Sequence, residues 1–198
     1  MLGRYDELED LISDDCVLLF DMDDSLIDTS RANLLAYLKA IRDVTGCRIE
    51  SKYRPPDKRF TRMSLHQISP KLSTSDIEAI ITIKESTYID FLKHTNTDSE
   101  LLCILKKYHN THKTAIVTNC DELRATQTIK YHKLHSFLSA LFCRNTNDSN
   151  ESKYKKALNY FKVKPENAIV FDDDTIELCK AMNIGIPQHN IFHTKKDV

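Results

Sequence analysis

Residues 17–28 read Val-Leu-Leu-Phe-Asp-Met-Asp-Asp-Ser-Leu-Ile-Asp. The four apolar residues indicate a fully buried strand, and the chain then places Asp21, Asp23 and Asp24 directly after it. Carboxylates crowded at the end of a buried strand repel one another, and buried charge is costly unless it is paired or neutralised. A divalent cation among them would reduce that cost. The stretch therefore predicts a site at a strand end.

The composition limits the classes of protein that this chain can be. Its 198 residues, 41% of them hydrophobic, suffice for one domain, or for a core domain with a smaller insertion. The 28 Lys and Arg nearly cancel the 29 Asp and Glu, which argues against a general nucleic-acid binder or a membrane-surface binder. Six cysteines without paired spacing suggest neither a zinc site nor a disulfide framework. No apolar run approaches the ~20 residues of a membrane span, and residues 6–10 are too acidic for a signal peptide. We expect a cytoplasmic protein.

Two patterns divide the chain. Residues 29–96 carry apolar positions at helical spacing and are predicted to form a helical insertion. After it, strands alternate with helices, which indicates a parallel sheet with right-handed crossovers. The later strands are predicted at 114–117, 140–143 and 168–171. We therefore expect an α/β fold, with a Rossmann-like parallel sheet and helices on both faces formed by residues 1–28 and 97–198.

Two capping boxes are predicted to begin helices in and after the insertion. Ser75 with Glu78 precedes a long amphipathic segment, and Thr97 with Glu100 precedes another. Both pairs have the spacing at which a hydroxyl and a carboxylate bind each other's backbone N–H groups.

Four features of the sequence are predicted to meet at one edge of the sheet. They are the acids at 21–24, the polar pair Thr118 and Asn119, the amine of Lys153, and the acids at 172–174. Carboxyl ends of parallel strands share an edge, and ligands bind there where the strand order reverses. Acids from two strands suit Mg²⁺, a threonine hydroxyl suits phosphate oxygens, and a lysine balances the carboxylate and phosphoryl charges. The set predicts phosphoryl transfer at a metal-bound aspartate.

These residues resemble the motifs of the haloacid dehalogenase superfamily of phosphohydrolases. Residues 20–26 are similar to its first motif, 116–119 to its second, Lys153 to its third, and 170–173 to its fourth. The spacing is similar to that of members with a helical cap inserted after the first motif, such as phosphoglycolate phosphatases and β-phosphoglucomutases. The resemblance covers nearly the whole chain and makes residues 29–96 the expected cap.

The resemblance implies a role for each matching residue. Asp21 would attack phosphorus and form an aspartyl-phosphate. Asp23 would protonate the leaving oxygen and then deprotonate the attacking water, which favours phosphate-ester chemistry over dehalogenation. Thr118 and Asn119 would bind the phosphoryl group, and Lys153 would orient Asp21 and neutralise its charge. The implied substrate is a small phosphorylated metabolite.

The implied cofactor is Mg²⁺, held by Asp21, the backbone carbonyl of Asp23, and Asp173, with Asp172 close by. The sequence after Asp173 is shorter than is usual in the family, so the third acid near the metal is left open. The alternatives are Asp172, Asp174 and Glu177. Asp24 stands where glycine is frequent, and its role is also open.

Several polar residues have a simpler interpretation as structural groups. Asp28 and Asp174 are predicted to cap helices rather than to bind ligands. The segment 48–62 carries a local excess of positive charge and is either a solvated surface or part of a cap that grips an anionic substrate through Arg54 and Arg59.

Other functions also fit parts of the pattern. A phosphomutase or a phosphonate hydrolase would use the same core, and the latter would need a cap lysine such as Lys39, Lys52 or Lys58. A receiver-like phospho-acceptor shares the acidic, threonine and lysine groups but lacks a helical insertion. A catalytically silent binding protein is a further alternative, against which the intact set of acids argues. We expect a monomer, or at most a weak dimer.

Overall fold

The computed structural model describes residues 5, 7–46, 60–61, 64–66, 72–144 and 152–194. The chain divides into two compact units. The first unit comprises Met1–Ile27 and Thr97–Val198, and the second comprises Asp28–Asn96. No helix among the described residues is long and apolar enough to cross a membrane.

Seven strands are present in the described part of the chain. They are β1 (Val17–Phe20), β2 (Ile27–Asp28), β3 (Asn96–Thr97), β4 (Lys113–Val117), β5 (Ala140–Phe142), β6 (Ala168–Asp172) and β7 (Ile191–His193). Five of them form a sheet in the order β5-β4-β1-β6-β7. Every pairing in this sheet is parallel. β2 and β3 pair separately as a two-stranded sheet.

The helices follow the alternation that the sequence predicts. Their bounds are α1 (Leu8–Leu11), α2 (Ser30–Thr45), α3 (Thr74–Thr87), α4 (Ser99–Tyr108), α5 (Glu122–Tyr131), α6 (Lys153–Phe161) and α7 (Thr175–Asn183). Short 3₁₀ segments lie at Tyr88–His94, His135–Phe137, Pro165–Asn167 and Gln188–Asn190. The expected α/β fold with a parallel, Rossmann-like sheet is confirmed.

The central strands are buried on both faces. In β1, Leu18 and Phe20 pack in one core with apolar residues of α4 and α5. Val17 and Leu19 point to the opposite face and pack with residues of α6 and α7. Successive side chains of a strand alternate between faces, so a strand covered by helices on both sides has to be apolar throughout. This is why residues 17–20 decide the fold.

Helix capping departs from the sequence prediction at two places. α3 begins at Thr74, so its capping box is formed by Ser73 and Asp76 and not by Ser75 and Glu78. Both pairs have the required spacing, and only the position of the first helical turn selects between them.

At the second place, α4 begins at Ser99, and Asp98 accepts hydrogen bonds from the N–H groups of Glu100 and Leu101. The prediction that Thr97 caps this helix is wrong, because Thr97 lies in β3. Two other helix ends carry residues that commonly cap helices. Gly46 ends α2 in the left-handed conformation at φ 69°, and Asp121 accepts from the N–H of Leu123 at the start of α5.

The second unit is built on α2 and α3. Tyr37 and Ile41 of α2 pack with Ile80 of α3 in one apolar cluster, together with Phe60 and Leu65. Ala32 and Ala36 of the same helix pack against Tyr88 and Leu92 of the following 3₁₀ segment. The small alanines allow these aromatic and aliphatic side chains to approach the helix closely.

Candidate active site

The acids of the first and last motifs lie on adjacent strands. Phe20 of β1 is paired with Phe171 of β6, and the N–H of Asp21 donates to the carbonyl of Phe171 at 2.8 Å. The connection after β1 leads toward β4 on one side of the sheet, whereas the connection after β6 leads to β7 on the other. The strand order therefore reverses between β1 and β6, which is where parallel sheets bind their ligands. Asp21 and Asp172 lie at that point.

Lys153, the first residue of α6, joins these two acids. Its Nζ lies 2.6 Å from Oδ1 of Asp21 and 2.8 Å from Oδ2 of Asp172, and all three side chains are buried. Burial by itself lowers the pKa of the ammonium, but the charges of Asp21 and Asp172 outweigh it and raise that pKa above its usual range. Lys153 is therefore a permanent positive charge between the two carboxylates.

Opposing influences act on the pKa of the Asp21 carboxyl. Burial raises the pKa of its carboxyl well above the usual value, Lys153 opposes this rise, and the charges of Asp172 and Asp23 add to it. A further positive charge nearby would therefore stabilise the ionised form of this carboxyl group.

Three carboxylates are close enough to share a cation. One oxygen each from Asp21, Asp172 and Asp173 can be chosen so that all lie within 4.8 Å of one another. Asp172 is the most constrained of the three. Its Oδ1 accepts from the N–H of Asp174 at 2.8 Å, and its Oδ2 accepts from the hydroxyl of Tyr154 as well as from Lys153.

Asp173 is connected to the first motif and to the end of β7. The hydroxyl of Ser25 lies 3.4 Å from Oδ1 of Asp173 and 2.9 Å from the hydroxyl of Thr194. The backbone carbonyl of Asp173 accepts from Nε2 of His193 at 3.1 Å. The residues at the end of β7 therefore help to fix the position of Asp173.

Asp23 forms an ion pair with Arg124 of α5. The guanidinium donates from Nη1 to Oδ1 at 3.0 Å and from Nη2 to Oδ2 at 2.8 Å. Both residues are about 5% exposed, at 5% for Asp23 and 6% for Arg124. This two-point contact is the strongest geometry available to an arginine and a carboxylate.

The second motif lies at the same edge of the sheet. Thr118 follows β4 and is buried, with its Oγ1 accepting from the N–H of Cys120 at 3.2 Å. Asn119 is exposed beside it. Cys120 is buried and packs in the apolar core as a small hydrophobic group.

Asp24 adopts a left-handed backbone conformation, with φ 64°. Its N–H donates to the carbonyl of Ile27 at 2.7 Å, which closes a tight turn after the acidic cluster. Aspartate tolerates this conformation better than most residues with a Cβ, and glycine tolerates it best. This accounts for an aspartate at a position where the family often has glycine.

Three of the remaining acids have other partners. Asp174 accepts from the N–H of Ile176 and caps α7, as predicted. Glu177 lies 2.7 Å from Nζ of Lys180. Asp28 accepts from the N–H of Ser30 at 3.3 Å, but the N-cap residue of α2 is Thr29, so the prediction that Asp28 is the cap is wrong by one position. Of the alternatives for the third acid, the structure places Asp172 in the carboxylate cluster.

Arg54 and Arg59 lie outside the described residues, so their role stays a prediction.

A comparison with protein families decides the classification. The sequence profile described as "Haloacid dehalogenase-like hydrolase" matches residues 18–191, which include all four motifs. The chain belongs to this family. No curated protein matches the sequence at a significant level.

Solved structures of haloacid dehalogenase-like proteins share the fold. A hydrolase of this family from Streptococcus pneumoniae has a TM-score of 0.70 and 19% identity, covering 89% of this chain and 83% of that one. A candidate β-phosphoglucomutase from Thermotoga maritima has a TM-score of 0.68 and 18% identity, covering 92% and 88%. CbbY from Rhodobacter sphaeroides, solved in complex with phosphate, has a TM-score of 0.68 and 14% identity, covering 86% and 83%. At these identities the likeness shows the fold alone.

Three residues of this haloacid dehalogenase-like site were missed in the sequence. Arg124 and Tyr154 lie on helices, and Thr194 follows β7. Tyr154 could have been suspected, because it follows Lys153 directly and shares its helix. Burial and the charge of Asp172 raise the pKa of the Tyr154 hydroxyl well above its usual value, so it serves as a hydrogen-bond donor. No sequence signal points to Arg124, since an arginine in the first turn of a helix is ordinarily solvated.

Proposed function

We propose that the protein is a Mg²⁺-dependent phosphatase that hydrolyses a small phosphorylated metabolite through an aspartyl-phosphate on Asp21. The observation that carries this proposal is the position of Asp21 between Lys153 and the acids of β6. The 2.6 Å contact with Lys153 fixes one oxygen of a buried carboxylate at the reversal point of the sheet. A carboxylate activated in this way is a suitable nucleophile for phosphorus.

The charges of the site fit a divalent cation. Among the described residues, Asp21, Asp23, Asp172 and Asp173 supply four carboxyl groups, while Lys153 and Arg124 supply two cationic groups, so acids outnumber cations at the site even while Asp23 carries the proton that it gives to the leaving oxygen. The donors available at the site are carboxylate and backbone carbonyl oxygens, and Mg²⁺ prefers oxygen ligands. We assign the cation to Asp21, Asp173 and the backbone carbonyl of Asp23, with Asp172 beside it. When bound, Mg²⁺ would neutralise charge on the phosphoryl oxygens and on Asp21.

In the first half of the reaction a carboxylate oxygen of Asp21 attacks phosphorus. The bond from phosphorus to the ester oxygen breaks, and the electron pair leaves with that oxygen. Asp23 gives the leaving oxygen its proton, so that an alcohol departs. Lys153 balances the charge of the phosphoryl group at the nucleophile.

In the second half a water molecule attacks the phosphorus of the aspartyl-phosphate. Asp23 accepts a proton from this water, the bond between phosphorus and Asp21 breaks, and inorganic phosphate is released. Asp23 is then protonated again and Asp21 is free, so one ester and one water give one alcohol and one phosphate. Thr118 and Asn119 are the groups we assign to the phosphoryl oxygens in both halves.

The test is hydrolysis of p-nitrophenyl phosphate with and without Mg²⁺, comparing wild type with Asp21→Asn. We expect turnover only with Mg²⁺, and none above background in the variant. Asp14→Asn is the matched control, because Asp14 is an exposed acid that precedes β1 at the opposite edge of the sheet. Undiminished turnover in a folded Asp21→Asn protein would overturn the mechanism.

A panel of phosphorylated metabolites would then identify the substrate class. Nucleotides, sugar phosphates and phosphoglycolate should be compared by kcat/KM. Release of inorganic phosphate, rather than transfer to a second position on a sugar phosphate, distinguishes the phosphatase from a phosphomutase.

A further inference from the structure

We propose that Arg124 is a positioning residue that aims the carboxylate of Asp23 at the reacting phosphoryl group. The inference rests on the proposed function, in which Asp23 transfers protons in both halves of the reaction. It adds a residue outside the four motifs, on a helix that the motifs do not include.

The geometry fixes the plane of the Asp23 carboxylate. Nη1 and Nη2 of Arg124 each donate to a different oxygen of Asp23, at 3.0 and 2.8 Å. Two parallel hydrogen bonds from a planar guanidinium define the rotation of the carboxylate as well as its distance. A single contact, such as a lysine would make, leaves that rotation free.

The helix backbone that carries Arg124 is anchored at several points. It lies in the first turn of α5, whose start is capped by Asp121. Its carbonyl accepts from the hydroxyl of Thr128 at 2.8 Å. Ala125 and Ile129 anchor the same helix in the core beneath the sheet. A group that positions another must have fixed surroundings, and this helix supplies them.

Stability alone does not account for this pair. Removing two charges from water is costly, and a buried ion pair often contributes no more to stability than apolar residues of the same volume. Here the cost is borne close to Asp21, which is a second buried carboxyl group. A bidentate contact at this position is explained by the need to orient Asp23, because a displacement of about 1 Å in a reacting group can cost ~100-fold in rate.

The first test compares wild type with Arg124→Lys in Mg²⁺ buffer. The variant keeps the positive charge but cannot donate two parallel hydrogen bonds to the carboxylate. We expect kcat for an alkyl phosphate to fall by about 30- to 100-fold while KM stays within about twofold, since Asp23 acts on the reacting atoms and not on binding. Lys130→Met is the matched control on the same helix; Lys130 is exposed, and its kinetics should equal those of wild type.

A second readout separates positioning from general damage to the site. The p-nitrophenolate group leaves without needing a proton, whereas hydrolysis of the aspartyl-phosphate still needs Asp23 as a base. Stopped-flow measurements on Arg124→Lys should therefore show a burst of p-nitrophenolate followed by slow turnover. A site that is merely distorted would lose both phases together.

The decisive comparison is a double-mutant cycle with Asp23→Asn. If Arg124 acts through Asp23, adding Arg124→Lys to Asp23→Asn should change kcat by less than about twofold. If the two substitutions instead lower kcat by factors that multiply in the double variant, Arg124 acts independently of Asp23 and the inference is overturned.

Folding of each variant is checked by circular dichroism and thermal melting, and Arg124→Gln serves as a second substitution. An unchanged kcat in a folded Arg124→Lys protein would reject the positioning role, and unfolding of both variants would assign the pair to stability instead. Failure of wild type itself to hydrolyse any phosphate ester would refute the proposed function, which is a separate outcome.

Discussion

Lys153 and Asp21 are 132 positions apart in the chain, yet their side chains meet with Nζ 2.6 Å from Oδ1. The same ammonium lies 2.8 Å from Asp172. One lysine at the start of a helix therefore holds together the acids of two neighbouring strands.

We predict that Lys153→Met lowers kcat by at least about 100-fold, because two buried carboxylates then lack their common counter-ion and the phosphoryl charge is no longer balanced. The measurement is steady-state hydrolysis of p-nitrophenyl phosphate. Lys155→Met, an exposed lysine on the same helix, is the control and should behave as wild type. A Lys153→Met protein with near-normal kcat would show that the lysine is not part of the chemistry.

Mg²⁺ should raise the thermal midpoint of the wild-type protein, because a ligand of the folded state stabilises it by mass action. Asp173→Ala should abolish most of this shift. Asp174→Ala should lower the stability of the protein by about 1 kcal/mol through loss of the α7 cap but keep the Mg²⁺ shift. Differential scanning fluorimetry across a Mg²⁺ titration measures both effects. Loss of the Mg²⁺ shift in Asp174→Ala, with the shift kept in Asp173→Ala, would place the cation on Asp174 instead.

The left-handed backbone at Asp24 predicts that glycine is more stable than alanine at this position, which is the reverse of their order inside a helix. Since φ is 64°, Asp24→Ala should be less stable than Asp24→Gly by about 1 kcal/mol. At Glu78, an exposed position inside α3, glycine should be the less stable of the two by about the same amount. Chemical denaturation of the four variants tests this. Equal stability of the two Asp24 variants would contradict the left-handed assignment.

His132 should make the stability of the protein depend on pH. Burial lowers the pKa of its imidazole below the usual 6.5, so the unfolded chain binds a proton more readily than the folded one. Stability is then fully present above about 6.5 and is lost as pH falls toward the lower folded-state pKa. His132→Gln should flatten the fall in unfolding free energy between pH 7.5 and 5.5. His189→Gln, an exposed control, should leave it as in wild type.

Local patterns in the sequence predicted most secondary elements correctly. The buried run at 17–20 is a strand, and the predicted strands at 114–117, 140–143 and 168–171 are observed as Lys113–Val117, Ala140–Phe142 and Ala168–Asp172. The two capping boxes were misplaced because the serine, threonine and acidic residues near each helix start offer more than one pair. Propensity does not choose between these pairs, and the observed first turn of each helix does.

The sequence by itself determined that this is a parallel α/β protein with acids at two strand ends. Apolar runs and hydrophobic periodicity are local properties of the chain, and each of the four motifs is a short continuous segment. Only the tertiary structure decided which groups surround those acids. Asp23 and Arg124 are 101 positions apart, and Ser25 and Thr194 are 169 apart. Contacts of this kind arise from how helices pack on the sheet and where β7 ends, and no local pattern encodes them. The opening stretch therefore specified the acids, and the fold supplied the cations and hydroxyls that hold them in place.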